Sequence, residues 1–91
     1  MYQTSYLCYN VNIIPNNLGK NMNLKEKIGQ IIKNRRRELK MEQSDLQDYA
    51  EVGSTTLSKL EMGKLNITID NLEKITEVLG LEIIIKVKEK I

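Results

Sequence analysis

Arg36 and Glu61 stand where an amphipathic pattern calls for apolar side chains. Ile28, Ile32, Arg36 and Leu39 follow one another at three- and four-residue spacing and so share one face of a helix. Glu61 comes four residues after Leu57, on the inward side of a later helix. A lone charge on such a face costs on the order of several kcal/mol unless it is paired. A guanidinium facing a carboxylate makes two parallel hydrogen bonds, so the economical arrangement is that Arg36 and Glu61 meet. The alternative is that both reach past the edge of the core to solvent. Pairing would tie the first helix to the third and hold the third at a fixed angle. This is chemistry of positioning rather than of bond making. The chain has no histidine, and Cys8 is its one cysteine. It shows no metal-ligand cluster, no phosphate-cradling glycine motif and no nucleophile–base arrangement. An enzyme is not expected, nor a cofactor, a metal or a small-molecule ligand.

The elements that must carry these two residues emerge from the rest of the pattern. The chain has 91 residues, enough for one small domain that is marginal alone, and oligomerisation would relieve that. Charged residues make up 29% with a net charge of +2, a weak basic bias that permits nucleic-acid binding without demanding it. No charge occurs before Lys20, and the run "KNRRRELK" at Lys33–Lys40 is the most basic. Residues 1–23, with Tyr2, Tyr6, Tyr9, repeated Asn and Pro15, keep no sustained period and are expected to be a largely disordered arm, with a short strand over Leu7–Ile14 as an alternative. Met22 stands directly before the first helical pattern and is a candidate start of translation, which would make the extension a leader. No positive signal-peptide region and no membrane-length apolar run is present, so a cytoplasmic protein with no membrane partner is expected.

From Leu24 the helical period is clear. Leu24, Ile28, Ile31, Ile32 and Leu39 predict a helix over 24–40, and Leu46 and Ala50 one over 43–50. Leu57 and Leu60 predict a third over 54–62, closed by Gly63. Thr68 can cap a fourth, with Asp70 in its first turn and Leu72, Ile75, Val78 and Leu79 inward, closed by Gly80.

A short helix, a tight turn and a second helix with a small, polar outer face make a helix-turn-helix. The stretch "MEQSDLQDYAEVGSTTLSKLEMGK" (Met41–Lys64) resembles that of the XRE/Cro/cI repressor family. The matching residues are Gln43, Leu46, Ala50, Val52, Thr56, Leu57, Ser58, Leu60, Glu61 and the Gly63-Lys64 pair, within a resemblance over about 24–81. The family also pairs an arginine late in its first helix with the glutamate of its third. Three positions depart from the family pattern. Glu42 replaces a frequent capping Thr, so that Ser44 is an alternative helix start. Glu51 replaces a glycine in the turn, where a left-handed residue with a side chain costs about 1 kcal/mol. Gly53 replaces a capping Ser or Thr, which costs only about a few tenths of a kcal/mol.

The resemblance implies a four-helix, mainly α, lambda-repressor-like domain over 24–80 whose third helix enters the major groove of double-stranded DNA. Ser54, Thr55 and Lys59 would then face base edges, with Lys59 able to donate to guanine O6 and N7. Gln43, at the start of the second helix, is placed for a phosphate, as are Ser58, Lys64 and Asn66, with Arg35 a weaker candidate. One such helix reads too few base pairs for a specific site, so family members dimerise on palindromic half-sites about one helical turn apart.

The tail "LGLEIIIKVKEKI" completes the pattern. Its β-branched run disfavours helix, and Ile83, Ile85 and Val87 alternate with Glu82, Ile84, Lys86 and Lys88 as in a half-buried strand. The simplest partner is the same strand of a second copy, giving an intermolecular two-stranded sheet that packs on the fourth helix. Residues 81–91 are thus expected to be a dimerisation strand acting through Leu81, Ile83, Ile85 and Val87. Pairing with Leu7–Ile14 and a fifth amphipathic helix are the alternatives. This ending looks like that of HipB-type antitoxins, which repress their own operon and bind a HipA-like kinase toxin. Other readings are a stand-alone or phage-type regulator without a toxin, and an interaction module that has lost DNA binding.

Overall fold

The computed structural model describes residues 22–87. Four helices account for their regular structure: α1 (Leu24–Glu38), α2 (Gln43–Ala50), α3 (Ser54–Glu61) and α4 (Ile69–Leu79). The fold is mainly α. The expectations for residues 1–21, including the Leu7–Ile14 strand and the leader, lie outside the described residues, as does the end of the tail from Lys88.

Three of the four helix starts use a side chain to satisfy backbone groups that would otherwise lack partners. Asn23 Oδ1 accepts the Glu26 N–H at 2.9 Å while Glu26 Oε1 accepts the Asn23 N–H at 3.0 Å, a capping box at α1. At α2 the helix begins at Gln43 and not at Ser44, because Asp45 Oδ2 reaches back to accept the Glu42 N–H at 2.9 Å. Gly53 occupies the cap of α3 without a side-chain bond. Thr68 Oγ1 accepts the Asn71 N–H at 3.2 Å and caps α4.

All four helices end by the same device. In each, a left-handed residue follows the last turn, and the amide after it bonds to the carbonyl five residues back. The left-handed residues are Lys40, Glu51, Gly63 and Gly80. The closing bonds run from Met41 N–H to Arg36 O, Val52 N–H to Gln47 O, Lys64 N–H to Lys59 O and Leu81 N–H to Thr76 O, at 2.9–3.1 Å. Periodicity alone carried α1 to Lys40 and α3 to Met62; the structure ends them at Glu38 and Glu61. Leu39 therefore leaves the apolar face of α1 and is exposed, as is Leu24 on the first turn.

The core gathers one stripe from each helix: Ile32 of α1, Leu46 and Ala50 of α2, Leu57 and Leu60 of α3, and Ile75 and Leu79 of α4. Ile28, Met41, Val52, Leu65, Ile67, Leu72, Val78 and Leu81 surround it, half-buried. Gly29 allows a close approach. A Cβ built there would lie 2.3 Å from the Leu60 carbonyl oxygen, so α1 and the end of α3 touch backbone to backbone.

Past Leu81 the described tail is neither helix nor strand within this single chain. A fifth helix is thus not formed over 81–87. Ile83, Ile84, Ile85 and Val87 are 51%, 63%, 92% and 89% exposed.

Candidate nucleic-acid interface

The geometry of α3 starts from Glu61, its last residue. Arg36 is 8% and Glu61 7% exposed. Arg36 Nε donates to Glu61 Oε2 at 2.7 Å and Arg36 Nη2 to Glu61 Oε1 at 2.9 Å. Arg36 Nη1 donates to the Met41 carbonyl at 2.7 Å, so the same guanidinium also pins the α1–α2 turn. Gln43 Nε2 adds a further bond to Glu61 Oε1 at 3.0 Å. Among the described residues, no buried side-chain nitrogen or oxygen lacks a partner. The hydrogen bond to Glu61 raises the Arg36 pKa above its ordinary value; burial acts against it, and the charges of Glu61 and Glu42 support it. One buried arginine thus joins α1, the turn into α2, and α3.

This network turns Gln43 in a direction that its position on α2 did not announce. The helix start suggested an outward side chain on a phosphate, whereas its amide nitrogen reaches inward to Glu61. The residue stays half-buried. Arg35, offered by the sequence as a backbone contact, is also engaged within the protein. Its Nε donates to the Leu79 carbonyl at 2.8 Å and its Nη1 to Glu38 Oε1 at 2.7 Å.

With Leu57, Leu60 and Glu61 held inward, the opposite side of α3 is fixed as its outer face. Ser54, Thr55 and Lys59 lie there exposed, and Ser58 and Thr56 are half-buried at its margins. Lys64 and Asn66, in the segment between α3 and α4, are exposed. Gly63 lets that segment turn close under α1, since a Cβ there would stand 2.9 Å from Glu26. Short hydroxyls and one lysine on a helix held from behind form a surface able to enter a groove and donate or accept hydrogen bonds. The dimerisation candidates divide: Leu81 packs against the core, while Ile83, Ile85 and Val87 point out of it.

Sequence reasoning passed over three features. Gly29 carried a usable signal, because a glycine inside a helix costs about 1 kcal/mol relative to alanine and needs a packing reason. Lys40 carried none, since nothing marks a lysine for left-handed backbone. Arg37 and Lys40, both exposed, border an open depression with Arg36, Met41 and Glu42 next to the start of α2, and only the basic run hinted at it.

The family profile described as helix-turn-helix matches residues 32–85, more than half of the chain. The chain belongs to the helix-turn-helix family. The match is to the XRE type, whose domains are DNA-binding regulators and typically not enzymes. No curated protein matches the chain, and no solved structure does. Within this helix-turn-helix protein, α2 and α3 are the two helices of the motif, and α3 stands in the position of its recognition helix. Among the described residues no helix is long and apolar enough to cross a membrane.

Proposed function

We propose that this helix-turn-helix protein is a sequence-specific transcriptional repressor that binds a palindromic operator as a dimer. The observation that carries the reading is the outer face of α3. Ser54, Thr55 and Lys59 are exposed together on a helix whose inner end is locked by Arg36 and Glu61. In this reading Lys59 reads a guanine edge and the two hydroxyls contact neighbouring bases. Ser58, Lys64 and Asn66 hold phosphates. Gln43 can add a phosphate through the amide proton that Glu61 does not take. Residues 24–80 form the DNA-binding domain, 81–91 the dimerisation strand and 1–23 an extension.

Dimerisation is supported by the four apolar side chains that the tail leaves uncovered. Two tails paired antiparallel across a two-fold axis, packed on α4, would cover Ile83, Ile85 and Val87. In that pairing Ile84, 63% exposed in the single chain, would fall on the other face, so a two-stranded pair covered on one face still leaves it bare. That favours a further protein partner and supports the antitoxin reading, in which the dimer represses its own operon and holds a HipA-like kinase toxin. A regulator without a toxin remains the second reading.

The test is selection of a binding sequence from random duplex DNA by the full-length chain, followed by gel shifts at 50–200 mM salt. A palindromic consensus is expected, with affinity falling steeply as salt rises. Binding without sequence preference would overturn the repressor reading.

A further inference from the structure

Arg35 and Arg36 are neighbours in sequence, and α1 sends them to different elements. Arg36 holds Glu61, the last residue of the recognition helix. Arg35 Nε holds the carbonyl of Leu79, the last residue of α4, at 2.8 Å. The tail leaves from this point. Gly80 follows in left-handed backbone, and a Cβ built on it would stand 3.6 Å from Arg35 Nη2. The carbonyls of a helix C-terminus lack intrahelical partners and carry partial negative charge, so a guanidinium is suited to that end. Glu38, one turn along α1, accepts from Arg35 Nη1 at 2.7 Å and steadies the side chain.

We propose that Arg35 is a positioning residue that sets the distance between the two recognition helices of the dimer. The proposal rests on the tail-mediated dimer described above. Two adjacent arginines then form a short relay: α3 is fixed to α1 by Arg36, and the origin of the tail is fixed to α1 by Arg35. The two-fold axis applies this relay twice, so any looseness at Leu79 is doubled between the two α3 helices. A half-site is read by one protomer and is insensitive to Arg35, whereas the spacing of half-sites depends on it.

The distance is measurable without DNA. In the full chain carrying Cys8→Ser, Met62→Cys places one spin label per protomer on the exposed end of α3, and pulsed electron resonance reads the separation between them. A single narrow distance is expected in this background. Arg35→Met is expected to widen the distribution at least twofold, with helix content and dimer mass unchanged. Arg35→Leu, which likewise has no donor for the Leu79 carbonyl, should widen it in the same way and serves if the methionine variant does not fold. Arg35→Lys, which can reach the carbonyl, should restore the narrow distribution. An unchanged width in Arg35→Met or Arg35→Leu overturns the proposal alone. The absence of any inter-protomer distance in the background chain overturns the tail-mediated dimer, and the proposal with it. Failure to select a DNA sequence would strike the repressor reading while leaving the distances to stand or fall by themselves.

Discussion

The recognition helix and the tail are two short segments with opposite debts to the rest of the chain. α3 has eight residues and its inner face is complete: Leu57 and Leu60 fill the core, and Glu61 receives bonds from Arg36 and Gln43. Residues 82–87 are similarly short and more apolar, yet every one of them is exposed. Among the described residues, one copy of the chain therefore determines where α3 points and leaves residues 82–87 exposed. The contrast separates what folding of one chain fixes from what the proposed dimer would supply. It also explains why a charged pair sits in the core while isoleucines sit outside it. The ion pair fixes direction through geometry, and in the proposed dimer the isoleucines would supply buried area.

The comparison can be broken most severely at Glu61. Glu61→Ala leaves the Arg36 guanidinium buried and without its carboxylate, and a loss of about 3–5 kcal/mol in urea-melt stability is expected. The double variant Arg36→Met with Glu61→Leu should be far less damaging, because both charges leave together. A single variant as stable as the parent would show that the pair does not anchor α3.

Next comes the tail. Ending the chain after Glu82 keeps Leu81 and the closure of α4, and the described residues that it removes, 83–87, are all exposed. The domain should keep its melting temperature while light scattering reports monomers. Affinity for a palindrome should fall at least a hundredfold, about 2.7 kcal/mol. A full dimer after this truncation would mean that the interface lies elsewhere.

On the outer face of α3, Lys59→Ala should lower specific affinity by about 1–3 kcal/mol and relax one base position, with stability unaffected. Unchanged operator preference in a repeated sequence selection would remove Lys59 from base reading. The smallest effect is expected at Glu51, which sits in left-handed backbone with φ +58°. Glu51→Gly should stabilise the fold by about 1 kcal/mol, which a thermal melt would register as a rise of roughly 4–8 °C.

Much of this was legible in the sequence because it is periodic. Ile28, Ile31 and Ile32, Leu46 and Ala50, Leu57 and Leu60, and Ile75 and Leu79 mark their faces by spacing alone, and Arg36 and Glu61 stand out as interruptions of it. Spacing says which side of a helix is inward but not where the helix stops, so Leu39 passed as core although the chain turns at Lys40. Long-range bonds from a side chain to a backbone carbonyl, such as Arg35 to Leu79, leave no local pattern. The inward turn of Gln43 depends on Glu61, eighteen residues away, and could not be read from the start of α2. Gly29 was readable in principle, yet its reason, the carbonyl of Leu60, belongs to another helix. For the candidate interface, the motif indicated which residues share the outer face of α3. It did not reveal which of their neighbours were already spoken for inside the protein.

The four identical helix endings have a kinetic consequence. Gly63 and Gly80 enter the left-handed region freely, but Lys40 and Glu51 do so against steric resistance of about 1–2 kcal/mol each. These two residues bracket α2. The first helix of the DNA-binding motif is thus spring-loaded at both ends, held down by Leu46 and Ala50 and by the side chains that reach across from α1 and α3. Transient opening of this protein should start there, and the amide protons of α2 should be the first among the helices to exchange with solvent.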